Sequence, residues 1–162
     1  MKLSPRLRKA ALVTHIMASV GWFGAVITFL ALAWVGVTSH EDDLTRAAFL
    51  VMKPIGWFAL VPMNVASLAT GLASTLGSPW GLVRHYWVLI KLLINVVATV
   101  VLLLYMQTLS TLAELAADPM IDVERLRDPS PLVHTVAAII LLILAMILAV
   151  YKPRGRTPFG SA

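Results

Sequence analysis

The chain contains no cysteine, and only 13% of its 162 residues are charged. The first absence excludes disulfides and thiolate metal sites. The second, together with 59% hydrophobic residues and a mean hydropathy of +0.87, excludes an ordinary soluble domain. Charge is missing altogether from Ala10 to Ser39, Pro54 to Val83, Leu92 to Ala113 and Ser130 to Tyr151. Each stretch has at least the roughly 20 residues that cross a hydrocarbon core of about 30 Å. Backbone groups at that depth must bond within their own segment, and the runs lack the alternating polarity of barrel strands, so all four are expected to be helical. The expected fold is therefore all-α: a single integral membrane domain over 1–162, a four-transmembrane-helix antiparallel bundle with spans at about 8–38, 48–77, 83–115 and 131–151. Ala31-Leu32-Ala33 resembles a signal cleavage site, but the run before it is much longer than the roughly 7–15 residues of a signal core, so the first run reads as a span.

What charge there is falls into two classes of place. All eight acidic residues lie in two connections, Glu41, Asp42 and Asp43 in one and Glu114, Asp118, Asp122, Glu124 and Asp128 in the other. Lys2, Arg6, Arg8 and Lys9 lead the chain, Arg84 and Lys91 follow the second span, and Lys152, Arg154 and Arg156 follow the fourth. The positive-inside rule then puts both termini in the cytoplasm, with Trp80, Tyr86 and Trp87 at the inner boundary and Trp34 and Trp57 at the outer one. The net charge of +5 is a topology signal. Scattered over short membrane flanks without a binding motif, it does not indicate a nucleic-acid partner; the lipid bilayer is the expected one. Short links, Ser39 to Arg46 and Gly77 to Arg84, make consecutive helices antiparallel neighbours. The third connection is expected to extend its helix to about Ala117, break at Asp118-Pro119, and start the last helix with Ser130 as N-cap and Pro131 at the first helical position.

Inside the spans the rare polar residues align. At helical pitch His15, Ser19 and Trp22 share one stripe, beside small residues at Ala18, Gly21, Gly24 and Ala25. Asn64, Ser67, Gly71, Ser74 and Ser78 form a second stripe, and Lys91, Asn95, Ala98, Leu102 and Tyr105 a third. From the helical rise, His15 lies roughly 9 Å inside the inner edge and Lys91 roughly 6–8 Å inside, in one layer. His134 enters from the opposite side, about 15 Å away in depth, so the two histidines would serve separate metal sites. An ionisable group at mid-membrane costs about 2.5–3.5 kcal/mol and usually marks a functional interior. The plainer alternatives are that Lys91 snorkels to the headgroups, that His15 bonds Ser19 or a neighbouring helix, that His134 is solvated, and that the buried amides and hydroxyls join helices. With every carboxylate expected outside the bilayer and no nucleophile triad or phosphate loop, hydrolase and kinase chemistry is not expected.

The segments THIMASVGWFGAV, GWFALVPMNVASLATGL, SPWGLVRHYWVLIKLL and VYKPRGRTPFG together resemble a family of small four-helix bacterial membrane proteins, and the likeness covers nearly the whole chain. That family is distantly similar to the copper-resistance D membrane domain and to the four-helix membrane protoporphyrinogen oxidase, which binds haem b. The resemblance implies a multi-pass protein of the bacterial cytoplasmic (inner) membrane. In the oxidase type a first-helix histidine before a Trp-Phe-Gly-like motif and a lysine early in the third helix are associated with porphyrin or haem; His15 with Trp22-Phe23-Gly24, and Lys91, stand in matching places. The oxidase type also tends to carry a histidine later in the third helix, where this chain has Tyr105 followed by Met106.

Three functions are expected from these residues. The first is a redox protein binding haem b, a porphyrin or a quinone between helices: His15 as iron ligand, Lys91 on a propionate or quinone oxygen, and Ser19, Trp22, Asn64, Asn95 and Tyr105 around them, with Met17, Met63 or Met106 as unplaced second ligands. The second is copper handling through His15, Met17 and other methionines. The third is a non-enzymatic scaffold or subunit packed against another membrane protein or a second copy.

Overall fold

The computed structural model describes residues 4–76 and 81–158, so Lys2, Ser78 and Trp80 of the reading above lie outside the described residues. These residues form four long helices, α1 (Pro5–Thr38), α2 (Asp42–Leu76), α3 (Tyr86–Ala117) and α4 (Ser130–Tyr151), each long and apolar enough to cross a membrane. They form no strand beyond an isolated bridge between His85 and Arg156. α1 packs against α2 and α4, and α3 against the same two, so the helices follow one another around the bundle and α1 faces α3 across it.

The boundaries follow local chemistry. Ser4 accepts the Leu7 N–H at 3.4 Å and Pro5 occupies the first turn, which starts α1. α2 begins at Asp42, earlier than the expected span start near residue 48. Asp42 and Asp43 complement the positive end of the helix dipole, and the prelude buries Thr45, Ala48, Phe49 and Met52 along one side. The first link is consequently shorter than the Ser39 to Arg46 expected from charge. Within α2, Pro54 and Pro62 bracket a π-helical turn, Gly56–Leu60, where the Val61 N–H bonds the Gly56 carbonyl. Proline removes a donor and crowds the preceding turn, and one widened turn accommodates it without ending the helix. Ala117 ends α3, as expected. Ser130 is the first residue of α4 rather than its cap, which is Pro129, and Asp128 Oδ1 accepts the Ser130 N–H at 2.8 Å.

The core lies toward the end that carries the acidic connections. Phe29, Ala33, Phe49, Met52, Met106, Leu109, Leu112, Ala116 and Leu126 are buried in one cluster. Gly56 lets α3 approach there: a Cβ at this position would lie 2.8 Å from the Met106 methyl. Two arginines close this end over helix C-termini. Arg46 donates to the carbonyls of Asp118 (2.8 Å), Ala116 (3.4 Å) and Ile121. Arg127 donates to Ser39 (2.6 Å) and Val37 (3.1 Å). The acidic connection is occupied with its own backbone: Asp118 holds the Met120 N–H at 2.9 Å and Asp122 that of Glu124 at 3.1 Å.

Candidate functional site

The expected site residues separate into three groups. The first is built on His15. Its ring lies against Gly71, where a Cβ would stand 3.0 Å from Cε1, so the glycine in the α2 stripe makes room for an imidazole from α1. Its Nδ1 is 3.2 Å from Thr70 Oγ1. Thr70 Oγ1 lies 2.5 Å from the Ala66 carbonyl and 3.3 Å from that of Ser67, an arrangement in which its one proton serves a carbonyl and its oxygen can accept from the Nδ1–H tautomer of His15. A neutral ring bonded this way keeps its lone pair on Nε2. Lys91, half-buried on α3, is near enough to His15 and to Lys152 for their charges to act on one another. Its Nζ lies 5.7 Å from the centre of the Trp87 ring, within cation–π range. Trp87 is 8% exposed and so does not present its ring to the headgroups as an interfacial marker would; it supports the lysine instead. Tyr86, Trp34 and Trp57 are exposed, as belt residues are.

The second group joins α1, α2 and α3 one to two turns deeper. Ser19 bonds Ser67 at 2.9 Å rather than His15. Thr99 shares its hydroxyl proton between Asn64 Oδ1 at 2.7 Å and the Asn95 carbonyl at 2.8 Å. Asn64 is fully buried, yet its Nδ2 has no hydrogen-bond partner among the described residues, and neither do the buried Asn95 Oδ1 and Ser74 Oγ. Native interiors leave few such groups, so this is hydrogen-bonding capacity held in reserve.

The third group lies toward the packed end. Tyr105 does not turn to Lys91 although it shares its stripe; about four turns further along α3, it stacks on His134 with ring centres 4.0 Å apart. Its hydroxyl bonds Ser130 Oγ at 2.8 Å, and His134 Nδ1–H donates to the Ser130 carbonyl at 2.8 Å. Trp22, buried, lines an apolar cavity of about 130 Å³ with Tyr105, His134, Phe29 and Leu60. The structure thus separates Trp22 and Tyr105 from His15, and His134 from it as well. Methionine donors diverge too: Met17 is 69% exposed, Met106 is buried in the far core, and Met63 packs on Gly21. Among the described residues no three His, Cys, Asp or Glu side chains group as metal ligands.

Sequence reasoning passed over Thr70 and Thr99, which complete the first two groups. Their signal was present: each falls on the arc of a polar residue already chosen, Thr70 one turn after Ser67 and Thr99 one turn after Asn95. Threonine in an apolar helix commonly bonds its own preceding carbonyl, so its presence alone does not mark a contact between helices. No protein-family model, curated protein or solved structure matches the chain.

Proposed function

We propose that this is a multi-pass membrane protein with antiparallel neighbouring helices and both termini on the cytoplasmic side, carrying a redox cofactor of the haem b or porphyrin class at the His15 corner. Contacts from His15 to Thr70 and Gly71, Ser19 to Ser67 and Gly36 to Phe49 support opposite directions for α1 and α2. The distribution of charge supports the orientation: basic groups gather with Lys91 and Lys152, and acidic ones with the arginine-capped end.

The observation that carries the cofactor reading is the contact of His15 Nδ1 with Thr70 Oγ1 at 3.2 Å. Histidines that bind metal through one nitrogen ordinarily donate the other N–H to a fixed oxygen, the arrangement that this contact suits. A neutral ring so held would offer Nε2 to iron, and Lys91 from the facing helix would offer an ammonium to a propionate. Bound there, the group would supply one-electron transfer; the protein's part is to hold and orient it and to balance its negative charge. The half-open apolar cavity beside Trp22, of about 130 Å³, is well below the roughly 300–1,000 Å³ of small-molecule sites. A macrocycle therefore belongs against the half-exposed edge of His15 rather than inside the packed core. Separation of Tyr105 from this corner leaves one protein ligand, unlike the pattern of the oxidase that the sequence distantly resembles. The divergent methionines leave the copper reading without a converging donor set.

Titration of haem into detergent-purified protein tests the proposal. Wild type is expected to develop a bound-haem absorbance band, His15→Ala to lose it, and Lys91→Met to keep the band shape with binding weakened about tenfold. Equal spectra for wild type and His15→Ala overturn the reading. The polar groups then serve helix joining alone, and the scaffold function takes its place.

A further inference from the structure

After Lys152 the chain does not leave the bundle. Lys152 adopts a left-handed backbone (φ 44°), which ends α4 and turns the tail back across the start of α3. There the Tyr86 N–H bonds the Gly155 carbonyl at 3.4 Å and the Thr157 N–H bonds the Arg84 carbonyl at 3.0 Å. The Thr157 hydroxyl donates to the Val83 carbonyl, and His85 pairs with Arg156 as a bridge. The tail is thereby fixed by its main chain and by the Thr157 hydroxyl.

The result is a concavity of about 400 Å³ lined by His85, Trp87, Lys152, Arg154, Gly155 and Arg156 together with Pro153. Its volume falls within the range of small-molecule sites. Among the described residues no carboxylate lines it, and the eight acidic side chains of the sequence all lie in 41–43 and 114–128, which the Arg46 and Arg127 contacts gather at the other end of the bundle. Lys91 adds a further cation on the membrane side, close enough to interact with Lys152. Arginine forks match phosphate oxygens, and a preformed pocket spares the ordering that a loose basic tail would require.

We infer that this concavity binds a phosphate-bearing anion at the membrane interface, the headgroup of an acidic phospholipid. Basic pockets beside transmembrane helices hold such headgroups through charge, and the exposed Tyr86 ring at the start of α3 suits the interfacial depth of a lipid phosphate. The inference is independent of any cofactor at His15.

The test is native mass spectrometry of the full-length, detergent-purified protein titrated with phosphatidylglycerol, with phosphatidylcholine, and with phosphatidylglycerol plus inorganic phosphate. Retention of phosphatidylglycerol in preference to phosphatidylcholine is expected. Affinity is expected to fall roughly fivefold in Arg154→Gln and on the order of a hundredfold in the triple variant Lys152→Gln, Arg154→Gln, Arg156→Gln. The single variant decides the matter if the triple variant loses its helical circular dichroism. Displacement of the lipid by millimolar inorganic phosphate supports the same chemistry with a soluble phosphate as its source. Equal binding of the two lipids, or affinity unchanged in Arg154→Gln and, where it folds, in the triple variant, overturns the inference.

Discussion

Around Phe49 and Met106 the helices meet through rings, thioethers and glycine, while around His15 and Lys91 they meet through hydroxyls, amides and one imidazole. Among the described residues, three of the four buried polar side-chain atoms without a partner, Asn64 Nδ2, Ser74 Oγ and Asn95 Oδ1, lie on the polar side, and the remaining one, Thr45 Oγ1, on the other. Lipid is as apolar as leucine, so the packed region gains by shape and dispersion rather than by escape from water, and each lost contact is felt in full. Interhelical hydrogen bonds in membranes contribute only about 0.6 kcal/mol each, so the polar region contributes little stability for the constraint it imposes. Close apolar packing thus lies toward one end of the bundle and most of the unpartnered polar atoms toward the other. Burial of the apolar windows falls from 28% in α1 to 6% in α4, which leaves most of α4 to the lipid and makes it the least constrained neighbour.

The contrast is sharpest for side-chain truncation. Phe49→Ala is expected to destabilise by about 3 kcal/mol in reversible detergent unfolding, because a ring only 1% exposed leaves a cavity that the glycine-lined contact with Gly36 cannot close. Leu93→Ala, on a residue 63% exposed, is expected to change stability by less than about 0.5 kcal/mol. Similar losses for the two would erase the distinction between packed and lipid-facing positions. Arg127→Ala is expected to cost about 2 kcal/mol by freeing the Val37 and Ser39 carbonyls at the end of α1, with Arg127→Lys recovering part of it.

At the polar end the effects should be smaller in stability and larger in chemistry. Gly71→Val is expected to destabilise by roughly 1–2 kcal/mol, since its side chain occupies the place of the His15 ring, and to abolish haem binding as completely as His15→Ala. Ser19→Ala removes one hydroxyl pair with Ser67 and is expected to cost about 0.6 kcal/mol with haem affinity unchanged. A loss for Ser19→Ala as large as that for Phe49→Ala would place the stabilising contacts at the wrong end.

The four spans were legible in sequence because exclusion of charge over about 20 residues has few other physical causes. Helix pitch also placed His15, Asn64, Ser67 and Gly71 on facing stripes, and the structure brings His15 onto Gly71 and Ser19 onto Ser67. Pitch assigns a face and not a neighbour. It therefore grouped Tyr105 with Lys91, which share an arc but lie roughly 20 Å apart along α3, and missed its stacking on His134 from another helix. Trp87 was read from its depth as an interfacial ring, yet its azimuth turns it under Lys91. The return of the tail across residues 83–86 rests on main-chain bonds, which residue types do not report. The roles of Arg46 and Arg127 were hidden for a similar reason: both sit in polar connections where any arginine looks solvated.

The central claim is that His15 is held as the Nδ1–H tautomer with Nε2 left to a ligand. Nitrogen-15 NMR of histidine-labelled protein at pH 8 tests it directly. The account predicts a protonated Nδ1 and a bare Nε2 for the resonance that disappears in His15→Ala, with the Nε2 signal moving when haem is added. A protonated Nε2, or a spectrum of His15 untouched by haem, would contradict it.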